Sequence, residues 1–225
     1  MPCVASKRWM FIQSVSFCSK GQNVAMRWVG SSGKGHSPRR LAIATTTARQ
    51  VVDRLAGQEI RCVLAESCTC GLIAARLGGV PGVSQWLVGS LVSYRLDAKQ
   101  RWLGVPSKWL APSGPGAVSQ PVAEAMAEGA LRRAPEAHLS LAITGHLGPG
   151  APLQEDGLVW IAVARRGDFS GARTSGPVEV CWSGRFRLQS EAPRSPRDGR
   201  RRMGRQREAA DLALAMLSWG LEVSV

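Results

Sequence analysis

The stretch Arg61-Cys62-Val63-Leu64-Ala65-Glu66-Ser67-Cys68-Thr69-Cys70-Gly71 decides the fold. Residues 61–65 are a short run of mainly apolar side chains, the mark of a buried strand. Residues 66–70 form a polar turn, and 71–77 carry apolar residues at helical spacing before the breakers Gly78-Gly79 and Pro81-Gly82. The same alternation extends outward in both directions. Upstream, 45–55 reads as a helix stopped by Gly57. Downstream come a strand over 86–94, a short helix over 97–103 and a long helix over 120–133 with Val122, Ala125, Met126, Gly129 and Ala130 on one face. Strands over 139–144, 158–164 and 178–182 follow, and a helix over 207–219 closes the pattern. Strands alternating with helices predict a single three-layer α/β/α domain over residues 43–225, with a central mixed sheet and helices on both faces.

Composition bounds the function. The chain has 225 residues, 44% of them hydrophobic, too many for a wholly disordered protein. Its longest apolar stretches, 212–217 and 158–164, fall far short of the ~18–20 residues of a membrane helix, so no membrane partner is expected. The net charge of +13 is unevenly placed: residues 1–40 carry +7 with no acid, 41–184 only +2, and 185–225 carry +4. Basicity at the ends of a near-neutral domain does not make a nucleic-acid-binding surface, and residues 1–42 read as a basic, flexible N-terminal extension. Within it, residues 30–37 are rich in Gly and Ser but lack the spacing of a Walker loop. The six cysteines (3, 18, 62, 68, 70 and 181) and three histidines (36, 138 and 146) show no metal-ligand spacing, which fits reduced thiols in a cytoplasmic protein with no metal and no cofactor.

Three strand-to-loop transitions carry the chemistry, since α/β sheets place their sites at the carboxyl ends of strands. At the first, a hydroxyl on the turn, Ser67, lies beside backbone N–H groups of Cys68, Thr69, Cys70 and Gly71 that suit an oxyanion. The same position also suits a helix N-cap. At the second, Ser93-Tyr94-Arg95-Leu96-Asp97-Ala98-Lys99, Asp97 can cap a helix with Lys99 in its first turn. Burial there would lower the lysine pKa and let a neutral amine deprotonate a serine, although most lysines are simply solvated. The third, Thr144-Gly145-His146-Leu147-Gly148-Pro149-Gly150, allows backbone to approach an anion, or is merely a turn.

Together these segments resemble the CinA C-terminal domain family, the nicotinamide-nucleotide amidases (PncC-like). The family's Ala-Glu-Ser-Cys-Thr-Gly-Gly block is matched by 65–71, and its Tyr-Ser-x-x-Ala-Lys block by 94–99, followed by Leu103-Gly104-Val105. Gly116-Ala117-Val118-Ser119 and Met126-Ala127-Glu128-Gly129-Ala130 match a third block, and 144–150 match the Thr-Gly-x-x-Gly-Pro-Gly loop. The resemblance spans about residues 43–220 and leaves out the first 40. It implies a hydrolase of pyridine-nucleotide salvage and NAD metabolism that converts nicotinamide mononucleotide to nicotinate mononucleotide and ammonia without metal. By resemblance Ser67 is the nucleophile, Lys99 its base and Tyr94 the residue that aligns them. Ser119, Thr144, Gly145, Gly148 and Gly150 would contact the substrate, and an arginine near the last helix (Arg201, Arg205 or Arg207, with Arg205 the choice) its phosphate.

The departures from the family pattern are Cys70 in place of a glycine, His146-Leu147 where small apolar residues are usual, a longer loop at 113–115, and an Arg/Pro/Ser-rich segment at 185–202. A cysteine at position 70 is strained if the turn needs positive φ. The partners expected are a small pyridine nucleotide and further copies of the chain, with the helix face 122–130 as one surface for self-association. The alternative is a catalytically silent domain of this fold that binds a nucleotide or a protein. A third possibility, nucleic-acid binding through the basic ends, has its own signature: retention on DNA or RNA would fall steeply with salt and vanish once residues 1–40 are removed. Our expectation is no such retention at physiological salt.

Overall fold

The protein's structure, a computed structural model, describes residues 11–17, 24–29, 41–43, 46–167 and 176–222. Residues 30–37, Cys3, Cys18 and His36 lie outside them. The chain divides into two compact units, Met1–Ala44 and Thr45–Val225. In the first, where the sequence suggested a flexible extension, β1 (Phe11–Phe17), β2 (Val24–Val29) and β3 (Leu41–Ile43) pair antiparallel in the order β1-β2-β3.

The second unit is an α/β fold built on a mixed five-stranded sheet. It opens with α1 (Ala48–Gly57), whose start is fixed by a capping box: Thr47 accepts from the Gln50 N–H and the Gln50 side chain accepts from the Thr47 N–H. The chain continues through β4 (Cys62–Glu66), α2 (Leu72–Gly78), a 3-10 turn (Val83–Gln85), β5 (Leu87–Val92), α3 (Leu96–Leu103) and α4 (Ser107–Leu110). Next are α5 (Gln120–Arg133), β6 (Leu139–Gly145), β7 (Leu158–Arg166), β8 (Val178–Arg187) and α6 (Gly199–Glu222). The strand order is β5-β4-β6-β7-β8. β5, β4 and β6 are parallel, while β7 and β8 run antiparallel to their neighbours. From β4 the chain goes first to one neighbour and later to the other, so the crevice of such a switch point opens at the carboxyl end of β4.

Alternation along the strands divides the core between the two faces. Val63, Ala65, Ala142, Ala162 and Ala164 pack with the buried face of α5 and with Leu103 of α3. Val163, pointing the other way, lies against Gly220 of α6. The α5 face suggested for self-association is therefore inside the domain: Val122, Met126 and Ala130 are fully buried against the sheet. The last helix is longer than its apolar pattern implied. It starts at Gly199, eight residues early, because arginine is a good helix former even where no apolar period marks the helix. β8 likewise runs on to Arg187, well past the expected residue 182.

Close packing of α5 against α3 depends on Gly129, where a Cβ would run into the Leu103 backbone. Gly129→Ala should therefore lower stability in urea denaturation by about 2–3 kcal/mol, despite the better helix propensity of alanine.

Candidate active site

The parallel strands bring Ser67, Ser93 and Thr144 to one edge of the sheet. Glu66 pairs in register with Val92 on one side and Ile143 on the other. Just beyond, the Ser67 N–H donates to Ile143 O (3.0 Å) and the Ser93 N–H to Glu66 O (2.8 Å). The turn after β4 is organised by Glu66, whose side chain is fully buried. One carboxylate oxygen accepts from the N–H groups of Gly71 (3.0 Å) and Ile73 (3.1 Å), the other from the Ala74 N–H (3.0 Å) and the Ser90 hydroxyl (3.0 Å). A carboxylate thus occupies the start of α2.

This corrects the expected oxyanion donors. The Gly71 N–H is committed to Glu66, and the Cys70 N–H donates to Ser67 O (3.1 Å). The N–H groups of Cys68 and Thr69 have no acceptor among the described residues, so they are the available pair. Cys70 does take the left-handed conformation, at φ 52°, followed by Gly71 at φ 90°. The non-glycine residue therefore sits where glycine is favoured. The Ser67 side chain is nearly buried, and its hydroxyl is hydrogen-bonded to no described residue; the N-cap of α2 is Gly71, not Ser67.

Lys99 is one of the largest fully buried side chains. Its Nζ donates to Ser93 O (2.8 Å) and lies 3.7 Å from Met126 Sδ. Burial pushes its pKa down to about 8, against an opposing influence of Cys68. The Cys68 thiol is itself pushed up to about 12 by burial and so stays protonated. The Ser93 carbonyl that holds the Lys99 amine follows directly on the strand edge where the Ser93 N–H meets Glu66 O, the residue before Ser67. Asp97 does not cap α3: Arg95 is the N-cap and makes no side-chain cap, while Asp97 lies within the first turn and pairs with the exposed Arg95 side chain. Tyr94 is half exposed, and its hydroxyl accepts from Arg202 Nη2 (2.5 Å) rather than bridging Ser67 and Lys99.

The remaining predicted contacts fall on the same edge, with their hydroxyls turned to the backbone. Ser119 Oγ donates to Gly116 O (2.7 Å) and Thr144 Oγ1 to Ala117 O (2.8 Å), which braces the loop before α5. A Cβ at Gly145 would press into Val159, while Gly148 and Gly150 both need positive φ. Arg205 is not free for a phosphate. It is buried and bidentate to Asp156 (2.7 and 2.8 Å), with Nε donating to Ser190 O (3.3 Å), and it holds the Asp156 carboxyl below its usual range. Arg201 pairs with Glu191 and Asp198. The arginine that reaches the site is Arg202, bridging the Gly148 carbonyl and the Tyr94 hydroxyl. The sequence offers several arginines here but no sign of which one faces the site, because the apolar period marks α6 only from residue 207; with the helix begun at Gly199, Arg202 and Arg205 stand three residues apart on one face.

The fold and the turn after β4 define an α/β domain with a hydroxyl and a buried amine at the switch point. Residues 44–177 match the family model described as the CinA C-terminal domain, and the chain belongs to that family. A CinA-like protein of Gemmatimonas aurantiaca is 37% identical over 175 residues, covering 77% of this chain and 39% of that protein. One from Akkermansia muciniphila is 39% identical over 166 residues, 68% of this chain and 39% of that one. The chain thus spans about two fifths of the length of these relatives. Among solved structures, a competence/damage-inducible protein from Agrobacterium tumefaciens superposes with a TM-score of 0.62 at 32% identity, covering 78% of this chain and 93% of that one. A CinA superfamily protein from Escherichia coli gives 0.61 at 26%, covering 82% and 99%.

The strained turn makes a stability prediction. Cys70→Gly should stabilise the chain by roughly 0.5–1 kcal/mol, the left-handed penalty outweighing the extra entropy of glycine, and Cys70→Val should destabilise it by about 1 kcal/mol or more. Urea titrations of the two variants check both signs.

Proposed function

We propose that this domain hydrolyses the carboxamide of nicotinamide mononucleotide, giving nicotinate mononucleotide and ammonia. The observation that carries the reading is Lys99: a buried amine with its pKa lowered to about 8, held by Ser93 O at the strand edge where Ser67 stands. A neutral amine there has one chemical use that a solvated lysine lacks, which is to accept a proton near neutral pH.

Lys99 takes the Ser67 hydroxyl proton as the oxygen attacks the carboxamide carbon. The developing oxyanion is held by the N–H groups of Cys68 and Thr69. Collapse breaks the C–N bond, and the Lys99 ammonium gives its proton to the departing nitrogen, which leaves as ammonia. Water then attacks the acyl-serine, with Lys99 taking its proton and returning one to Ser67 Oγ. The nucleotide phosphate meets Arg202, whose guanidinium would exchange its contacts with Tyr94 and Gly148 for phosphate oxygens.

A second reading, a nucleotide-binding domain without turnover, is favoured by two observations. Cys70 strains the nucleophile turn, and Ser67 Oγ makes no hydrogen bond to Lys99 among the described residues. Release of ammonia from nicotinamide mononucleotide separates the two. We expect turnover that falls roughly 10²–10⁴-fold in both Ser67→Ala and Lys99→Ala while far-ultraviolet circular dichroism stays unchanged. Because the base must be unprotonated, kcat/KM should rise with pH and level off above about 8. No release above the Ser67→Ala background rejects the amidase, and a profile falling through pH 8 rejects Lys99 as base.

A further inference from the structure

Two backbone N–H groups of the nucleophile turn, those of Cys68 and Thr69, have no acceptor on another of the described residues, and something must set their directions. The peptides here are trans, so each N–H points opposite to the carbonyl of the residue before it. For Cys68 that carbonyl is Ser67 O, fixed within the turn by the Cys70 N–H. For Thr69 it is Cys68 O, and the turn supplies no donor to hold it. The donor comes from 138 residues away: Gln206 Nε2 on α6 lies 3.3 Å from Cys68 O and 3.1 Å from Thr69 O. Thr69 O also accepts from the Leu72 N–H (3.1 Å), so it is anchored without Gln206, whereas Cys68 O is not.

We infer that Gln206 is a positioning residue: by holding the Cys68 carbonyl toward α6 it turns the Thr69 N–H away from α6 and fixes it as an oxyanion donor. The inference rests on the amidase reading only for its effect on rate. Among the described residues the Gln206 side chain bonds only these two carbonyls, so it acts through the turn. It lies one residue after Arg205, which Asp156 clamps at two points, so the helix that carries it is itself pinned. Unpinned, the Cys68–Thr69 peptide rotates, and a donor that is not pre-aimed must be reorganised during the reaction.

The test compares the wild-type chain with Gln206→Met, similar in length but without a donor, and Gln206→Arg, which keeps N–H donors. One readout is the residual dipolar coupling of the Thr69 N–H, with the amides of Leu64 and Ile143 as references; the other is the kcat and KM of ammonia release. We expect the Thr69 coupling to shift or average out in Gln206→Met with the references unmoved, and kcat to fall roughly 10- to 100-fold with KM within about threefold. Gln206→Arg should retain most of both. An unchanged Thr69 coupling in Gln206→Met overturns the inference, as does a changed coupling with kcat intact. So does equal loss in the two variants, which would mean that only the glutamine's shape matters. A wild-type chain that releases no ammonia defeats the amidase reading alone, and the coupling still decides whether Gln206 orients this peptide.

Discussion

The buried carboxylate of Glu66 is the constraint from which the site follows. Taking a carboxylate out of water costs several kcal/mol, and among the described residues no lysine or arginine is paired with it. Three backbone N–H groups and one hydroxyl compensate instead, each a charge-assisted bond of about 1.5–3 kcal/mol. They come from the turn, from α2 and from β5, so the carboxylate fastens three elements at one point. It also fills the place an anion would otherwise take at the start of α2. In the proposed reaction an oxyanion on this edge would use the N–H groups left over once Glu66 has taken that of Gly71 and Ser67 O that of Cys70, which are those of Cys68 and Thr69.

Lys99 is the second buried ionisable group, and its cost has the opposite consequence. Its pKa is lowered on folding, to about 8 from an ordinary 10.5, so between those values the unfolded chain holds a proton that the folded chain has released. Stability therefore rises with pH across that window, and below about 8 the folded chain bears the full penalty, of order 3 kcal/mol. Ser93 O and Met126 Sδ, the two acceptors the amine reaches, are uncharged. A carboxylate in their place would offset the penalty and raise the pKa again. The poor solvation of Lys99 is thus a condition for the base role proposed for it.

Much of this was legible in the sequence. Short apolar runs separated by helical periods gave the α/β class, and Gln120–Arg133 was bounded to the residue because its apolar face is continuous. Ser67 and Lys99 stood out as polar residues just past strands. What escaped notice was whatever depends on partners distant in the chain. Glu66 read as part of a polar turn, since nothing local says that its carboxylate folds inward onto Ile73, Ala74 and Ser90. The start of α6 was hidden by its arginines, and with it the difference between Arg205, which is clamped, and Arg202, which reaches Tyr94. The hydroxyls of Ser119 and Thr144 are acceptable substrate contacts by type, yet the structure turns both to main-chain carbonyls.

These long-range partners divide the work on α6. Arg205 and Asp156 form a bidentate pair that is largely withdrawn from solvent, so breaking it would leave a buried charge exposed to the core, a change of several kcal/mol. That firmness lets the neighbouring residues be adjustable. Arg202, three residues before it, holds one hydroxyl and one carbonyl, contacts that the phosphate of the proposed substrate would outcompete. Gln206, the next residue along, grips the turn after β4 through neutral bonds, which hold a peptide without adding charge near Lys99. Charge–charge pairing thus anchors the helix, and uncharged or exchangeable contacts meet the chemistry. A second carboxylate near Arg202 would fix it in place, and in the proposed reaction it would also repel the substrate phosphate. The arrangement fits that requirement: among the described residues Asp156, Glu191 and Asp198 pair with Arg201 and Arg205, while Arg202 meets a hydroxyl and a carbonyl and so stays exchangeable.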